Sequence, residues 1–135
     1  MLKKINQTEQ TALAQYGYLI IRVCFGLMLA THGWSKVSHF NEYAAQFANP
    51  FGLGERTSLI LTIFAEFVCA ILIALGFFTR LASIPVVINF LTIFFIIHGS
   101  DPFGDKELAA AYLALSIGTL LIGSGKISID RKLGY

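Results

Sequence analysis

The sequence predicts an all-α integral membrane protein, an up-down four-helix bundle with a short interfacial helix between helices 1 and 2. The first observation is composition: of the 135 residues, 56% are hydrophobic and only 13% are charged, whereas soluble domains carry about 25% charged residues. The second is four long apolar runs at residues 16–37, 58–78, 81–98 and 107–124, because a helix needs roughly 17–25 such residues to cross a bilayer. Short connections between the runs favour antiparallel neighbours.

The same composition bounds the function. A formal net charge of +2 is too small to indicate a nucleic-acid partner. The chain contains no glycine-rich phosphate loop and no flavin or nicotinamide motif. We expect the protein to lie in a lipid bilayer. At this length a single membrane domain over residues 1–135 is expected.

The first run contains "YLIIRVCFGLMLATHGWSK", which is apolar yet carries Arg22, His32 and Lys36. At about 100° per residue, Arg22 and Lys36 share a face with Gly26 and Gly33, and His32 lies at its edge. Ionisable groups at bilayer depth are costly, and glycines let another helix approach closely. This face is therefore expected to turn into the bundle and away from lipid.

The connection after the first run is longer than a turn and rich in aromatic residues. Within "FNEYAAQFANPFGLG", four residues fall at helical spacing: Phe40, Tyr43, Ala44 and Phe47. They predict a short helix in the outer membrane interface, which Pro50 and the following glycines end. An irregular aromatic loop is the alternative that the pattern leaves open.

The second run places Glu66 near the middle of the membrane, where a lone carboxylate needs a partner. From the helical rise, Arg22 lies about 9 Å and Glu66 about 18 Å from the cytoplasmic end. The sequence therefore predicts an Arg22–Glu66 pair, direct or through one water. Asn89 of the third run lies about 14 Å deep, between the two, and its amide can bridge them because it both donates and accepts.

Glu107 lies at the outer end of the fourth run, and a face of mostly small residues follows it along the helix. This face consists of Ala110, Ala111, Ala114, Gly118 and Leu121. Small residues at such spacing are typical of helix contacts in membranes. The face is expected either to close the bundle or to form a homo-oligomer.

Lysine and arginine are unevenly distributed between the two ends of the predicted helices. With four crossings both termini share one side, which carries Lys3, Lys4, Arg80, Lys126, Arg131 and Lys132. The other side carries Lys36, Arg56 and Lys106 among several carboxylates. The positive-inside rule then puts both termini in the cytoplasm.

The polar residues of the four runs define two zones. Arg22, Glu66 and Asn89 form a deep zone, and a shallow zone near the outer surface consists of His32, Lys36, His98 and Glu107. Together they are expected to line a pocket that opens outward between the helices. Two histidines without a fixed ligand spacing do not by themselves indicate a metal ion or haem, so no metal site is predicted.

The ordered set of motifs resembles the DoxX family of small bacterial membrane proteins. The likeness covers roughly residues 16–130 and rests on "RVCFGLMLATHGWSK", "AEFVCAILIALGFFTRLAS", "HGSD" and "IGSGKISID". It implies a four-helix bundle in the bacterial inner membrane and an association with membrane oxidoreductase systems, including a subunit of a thiosulfate:quinone oxidoreductase. The family's recurrent positions would be Arg22, His32, Gly33, Lys36, Glu66, Thr79, Arg80, His98, Gly99 and Glu107.

The leading functional prediction is an inner-membrane subunit of a quinone-linked oxidoreductase system. A quinone or similar small redox molecule would bind in the pocket, where His32 and Glu66 exchange protons with its head group and Arg22 and Lys36 stabilise its anionic reduced form. The other predicted ligand-binding residues are Asn89, His98 and Glu107. Electrons would come from a soluble or membrane oxidoreductase partner or from the ligand itself.

A second prediction comes from another class, a membrane scaffold or assembly factor that binds a partner protein. In that case the buried polar residues only specify the packing of the helices. A carrier for small solutes or protons is less favoured, because four short crossings form a narrow bundle without an inverted repeat of broken helices.

Overall fold

The computed structural model consists of helices joined by short loops, and it describes the backbone of residues 2–135 and the side chains of residues 11–135. Its helices are α1 (Leu2–Ser38), α2 (Phe40–Ala44), α3 (Glu55–Leu75), α4 (Thr79–Ile97), α5 (Phe103–Ile122) and α6 (Ile129–Leu133). No β-strand occurs in residues 2–135, so the predicted all-α fold is confirmed.

Three helices within residues 11–135 are long and apolar enough to cross a membrane. They are the Thr11–Ser38 part of α1, the whole of α3 and the whole of α4. The fourth long helix, α5, has 20 residues, but its first turns carry three consecutive charged residues at positions 105–107. By length and composition, the chain is therefore a membrane protein with three candidate crossings.

The helix ends differ from the apolar runs by a few residues, because backbone features set them. α3 ends at Leu75 because Gly76 adopts a left-handed φ of 70°, a conformation that glycine accepts without strain. α5 begins directly after Pro102, which cannot continue a preceding helix but suits the start of one. Hydropathy reflects neither feature. The predicted second run therefore ends three residues after α3, and the predicted fourth run begins four residues after the start of α5.

Neighbouring long helices run antiparallel. Along α1 and α3, Gly26 lies against Ala70 and Ala74, and Gly33 lies against Glu66. Along α4 and α5, Phe94 contacts Phe103, Phe90 contacts Tyr112, and Arg80 bonds to Leu121. α1 also contacts α5 through the rings of Phe25 and Tyr112, so the four long helices enclose a common core.

Two glycines set the spacing between α1 and α3. A Cβ atom on Gly26 would lie 2.6 Å from the carbonyl oxygen of Ala70, and one on Gly33 would lie 2.6 Å from the carbonyl carbon of Glu66. Only a residue without a side chain fits at these distances. Arg22 and Leu29 on the same face are also buried, so the predicted inward stripe on α1 is confirmed.

The predicted small-residue face of α5 does not form the helix contact. Ala111, Ala114 and Leu121 are exposed, and a Cβ on Gly118 would meet no atom within 4 Å. The buried face consists instead of Ala109, Tyr112, Ser116 and Thr119. The Ser116 and Thr119 hydroxyls donate to carbonyl oxygens of their own helix, at Leu113 and Leu115, and therefore pack inside at no loss of hydrogen bonding.

The helix bundle has two ends, called here the loop side and the C-terminal side. The loop side carries residues 39–54, and it includes α2, which confirms the predicted short helix but ends at Ala44, before Phe47. The C-terminal side carries residues 123–135, which turn back across the helix ends. There Asp130 accepts hydrogen bonds from the backbone amides of Phe78 and Thr79 and from the Thr79 hydroxyl, at 2.7, 3.1 and 3.1 Å, so it caps the start of α4.

Candidate functional site

A carboxylate, an ammonium group and an amide meet in the half of the molecule nearer the loop side. Glu66 is 3% exposed, and its Oε2 lies 2.5 Å from Nζ of Lys36. Its other oxygen, Oε1, accepts a hydrogen bond of 3.1 Å from Nδ2 of Asn89. Residues from α1, α3 and α4 therefore form one cluster, called here the polar triad.

The packing of α1 on α3 places the triad. Gly33 contacts the backbone of Glu66 directly, and Lys36 follows Gly33 by about one helical turn. The lysine therefore reaches the carboxylate from the turn of α1 that follows the glycine contact. The side chain of Lys36 keeps 17% of its surface exposed, against 4% for Glu66.

The predicted Arg22–Glu66 pair is wrong. Arg22 is 2% exposed and lies at the C-terminal side, where its guanidinium donates to backbone carbonyls. The acceptors are Ile127 at 3.0 Å, Ala74 at 3.4 Å and Ser124. Because Gly76 and Gly123 end α3 and α5 nearby, carbonyl groups there lack helical partners, and the arginine satisfies them.

A cavity of about 510 Å³ lies beside the triad, between α3, α4 and the loop of residues 45–54. Lys36, Glu66, Asn89 and His98 all line it. Its remaining wall is mostly apolar and includes Phe47, Pro50, Phe51, Leu53, Leu61, Phe64, Pro85, Ile88, Ile93 and Ile97. A cavity of this volume with a mostly apolar wall and a few polar groups is typical of sites for small molecules. It is called the outer cavity here.

Both helices of the outer cavity contain a stretch of π-helix on the cavity wall. In α3 this stretch is Phe64–Cys69, which contains Glu66, and in α4 it is Ile93–Ile97. The amide of His98 donates to the carbonyl of Ile93 at 2.9 Å, a bond that spans five residues. π-helical turns are rare and often occur at functional sites. Composition and periodicity do not mark such turns, so neither was predicted.

The rim of the outer cavity has its own polar contacts. His98 Nδ1 lies 2.7 Å from Oδ2 of Asp101, and both side chains are partly exposed. On the loop, Asn49 accepts a hydrogen bond of 3.0 Å from the amide of Gly54. That bond closes the loop around Pro50 and Phe51, which line the cavity. From the sequence, Pro50 was expected only to end the short helix, and Phe51 was not expected in a binding site.

Three of the seven predicted site residues lie away from the outer cavity. Arg22 holds the C-terminal side together, as described above. His32 is exposed, and its ring lies edge-on to the ring of Tyr112, 5.7 Å between centroids. Glu107 is exposed at the start of α5. The structure therefore brings together Lys36, Glu66, Asn89 and His98 but not the other three.

The chemistry available in the outer cavity follows from the triad. The Lys36 ammonium and the Asn89 amide are hydrogen-bond donors, and Glu66 can hold or release a proton. Donors beside an apolar wall can bind an acceptor atom of a largely apolar molecule. Among residues 11–135, no group of three His, Cys, Asp or Glu side chains is arranged to hold a metal ion.

A family model described as DoxX matches residues 17–99. This range contains the polar triad, His98 and all of the outer-cavity lining, whereas α5 and the C-terminal side lie beyond it. No match was found among curated proteins or among solved structures.

Proposed function

The chain belongs to the DoxX family, and on that premise we propose that it is an inner-membrane subunit of a quinone-linked oxidoreductase system. In this proposal all four long helices cross the bacterial inner membrane and both termini are cytoplasmic. The outer cavity then faces the outer leaflet and binds a quinone or similar small redox molecule. Electrons come from an oxidoreductase partner, since the sequence carries no flavin or nicotinamide motif.

The position of α5 supports a fourth crossing. A helix of 20 residues is about 30 Å long, and its apolar part after the charged residues, 108–122, spans about 22 Å, a shortfall that a bilayer accommodates by local thinning. Its charged residues at positions 105–107 lie in its first turns, hence at the outer surface in this topology. Tyr112 packs between α1 and α4 through ring contacts with Phe25 and Phe90, 5.9 and 5.2 Å between centroids. The helix therefore lies in the same layer as its neighbours.

The observation that carries the proposal is the polar triad on the wall of an apolar cavity. A buried ion pair that only held the helices together would be surrounded by packed side chains. Here Lys36, Glu66 and Asn89 instead border about 510 Å³ of open volume. That arrangement gives a ligand both an apolar surface and oriented hydrogen-bond donors.

The apolar wall supports a ligand that arrives from the bilayer. Leu61, Phe64 and Ile88 line the outer cavity and are also 52%, 47% and 57% exposed at the surface of the helices. In a membrane these surfaces face acyl chains, so the cavity is accessible from the lipid between α3 and α4. An isoprenoid tail fits that route better than a soluble ligand does.

Roles for the lining residues follow from their chemistry. Glu66 exchanges a proton with a head-group oxygen, and Lys36 stabilises negative charge that develops there. Asn89 donates to the ring carbonyl, and His98 with Asp101 connects the rim to water. The sequence predicted proton exchange by His32 and Glu66 and charge stabilisation by Arg22 and Lys36. Because His32 and Arg22 lie away from the outer cavity, the proposal keeps Glu66 and Lys36 in these roles.

Replacing Lys36 with methionine is expected to weaken quinone binding by at least about tenfold, because a hydrogen bond to a charged group contributes about 1.5–3 kcal/mol. The measurement is equilibrium binding of a short-tailed quinone to the purified protein in neutral detergent. Lys106→Met is the matched control, since Lys106 lies on the same side but does not line the outer cavity. Absence of quinone binding to the unaltered protein, or equal loss in both variants, would contradict the proposal.

One observation favours the alternative, a scaffold that binds a partner protein. On α5, Ala111 and Ala114 are exposed and a Cβ on Gly118 would meet no described atom within 4 Å, and such a face suits close contact with another membrane helix. Under this alternative the polar triad only fixes the packing of α1, α3 and α4. The unaltered protein would then bind no quinone and would retain a partner protein through α5.

A further inference from the structure

A second concave surface lies on the C-terminal side and shares no lining residue with the outer cavity. It has a volume of about 570 Å³ and lies between the start of α4, the end of α5 and residues 123–131. Three cationic side chains line it, those of Arg80, Lys126 and Arg131. All three are exposed. It is called the basic groove here.

The positive charge of the basic groove is not neutralised by the protein. Asp130 is the only acidic residue in the lining, and its carboxylate is engaged by the amides of Phe78 and Thr79 and by the Thr79 hydroxyl. Among residues 11–135, the ion pairs are Lys36–Glu66 and His98–Asp101, and neither reaches the groove. An anionic ligand is therefore the expected complement.

Apolar side chains border the same groove. Phe78, Leu81, Ile122 and Tyr135 all line it, and they are 43%, 67%, 58% and 76% exposed. The first two lie on or beside the first turn of α4, and Ile122 is the last residue of α5. At the end of a crossing helix, such side chains lie at the level where acyl chains meet head groups.

Cations and exposed apolar residues together indicate an amphiphilic anion. A free nucleotide or an acidic peptide would use the cations but leave the apolar border unexplained. Basic pockets between the cytoplasmic ends of membrane helices are suited to anionic lipid head groups. The groove volume is also sufficient for a small head group.

We propose that the basic groove binds the phosphate head group of an anionic phospholipid such as phosphatidylglycerol. Arg80, Lys126 and Arg131 contact the phosphate oxygens, with arginine suited to a two-point contact. Phe78, Leu81 and Ile122 lie along the first part of an acyl chain. The site is independent of any ligand in the outer cavity, so a failure of the quinone proposal leaves it unaffected.

The test uses the full chain purified in neutral detergent, with phosphatidylglycerol, phosphatidylcholine and inorganic phosphate as separate probes. Binding is measured by native mass spectrometry and by the shift in thermal unfolding. The altered protein is Lys126→Gln/Arg131→Gln, which spares Arg80 because Arg80 also donates to the Leu121 carbonyl at 3.2 Å. The matched control removes two cations from the loop side, Arg56→Gln/Lys106→Gln.

The unaltered protein is expected to bind phosphatidylglycerol at least tenfold more tightly than phosphatidylcholine. Each cation near an anionic head group contributes about fivefold, so the altered protein should bind phosphatidylglycerol about 30-fold more weakly, and the control should bind it normally. Equal binding of both lipids, or an equal loss in the control, would overturn the site. If inorganic phosphate stabilised the protein as much as phosphatidylglycerol, the ligand would be a free anion and the lipid assignment would be wrong.

Discussion

Replacing Arg22 with methionine is expected to lower the free energy of unfolding by on the order of 3–5 kcal/mol. The change removes hydrogen bonds to the carbonyls of Ile127, Ser124 and Ala74 and leaves these buried or half-buried groups without their charged donor. The measurement is unfolding in mixed micelles as the fraction of denaturing detergent rises. Residues 123–135 should also detach, so trypsin should cleave after Lys126 faster than in the unaltered protein.

Arg56→Met is the control for this prediction. Arg56 is exposed and contacts the ring of Phe40, 5.4 Å from its centroid, so its loss is expected to cost less than about 1 kcal/mol. The result that would contradict the account is an Arg22→Met protein that unfolds like the unaltered one and keeps its C-terminal residues protected from trypsin.

Replacing Gly33 with alanine is expected to lower the free energy of unfolding by about 2 kcal/mol and to weaken quinone binding. The added Cβ would lie 2.6 Å from the Glu66 carbonyl carbon and 2.7 Å from its oxygen, which forces α1 away from α3. Overpacking of this kind costs about 1–3 kcal/mol. The same shift moves Lys36 away from Glu66, so both unfolding and quinone binding should be measured on one preparation.

Gly118→Ala supplies the matched control within α5. A Cβ at this position meets nothing within 4 Å, and alanine is favoured over glycine in a helix by up to about 1 kcal/mol. We therefore expect an unchanged or slightly more stable protein with normal quinone binding. Equal destabilisation by the two substitutions would show that the close contact of α1 with α3 is not what holds the triad in place.

The inward face of α1 could be predicted because charges are rare in an apolar segment. Arg22, Gly26, Gly33 and Lys36 repeat at helical spacing, and the cost of exposing charge to lipid decides the direction in which they point. The partner of Arg22 could not be predicted in the same way. Depth along the membrane gives only one coordinate, and the sequence does not show that the carbonyls of Ala74, Ser124 and Ile127 accept from Arg22.

The contact face of α5 shows a different limit of the sequence. Small residues at helical spacing suit a helix contact. Ser116 and Thr119 suit one equally well, because their hydroxyls donate to carbonyl oxygens of the same helix and need no partner from another helix. The pattern of Ala111, Ala114 and Gly118 therefore did not identify the buried side. In a membrane both sides of a helix can be apolar, so hydrophobicity could not decide between them.

The outer cavity was predictable only in its polar part. Lys36, Glu66, Asn89 and His98 were identified because polar groups in a membrane need partners, and their functional roles stay predictions. The two π-helical stretches and the loop around Pro50 were not predicted. They depend on backbone geometry and on distant packing, which composition and periodicity do not encode.

The central claim is that a quinone head group binds beside the polar triad, and photocrosslinking with a light-activated quinone tests it most directly. We expect label on the cavity-lining parts of α3 and α4, at residues 61–66 and 85–97. Excess unmodified quinone should abolish the label, and Lys36→Met should reduce it. Label on the outward face of α5, or label that unmodified quinone does not displace, would contradict the claim.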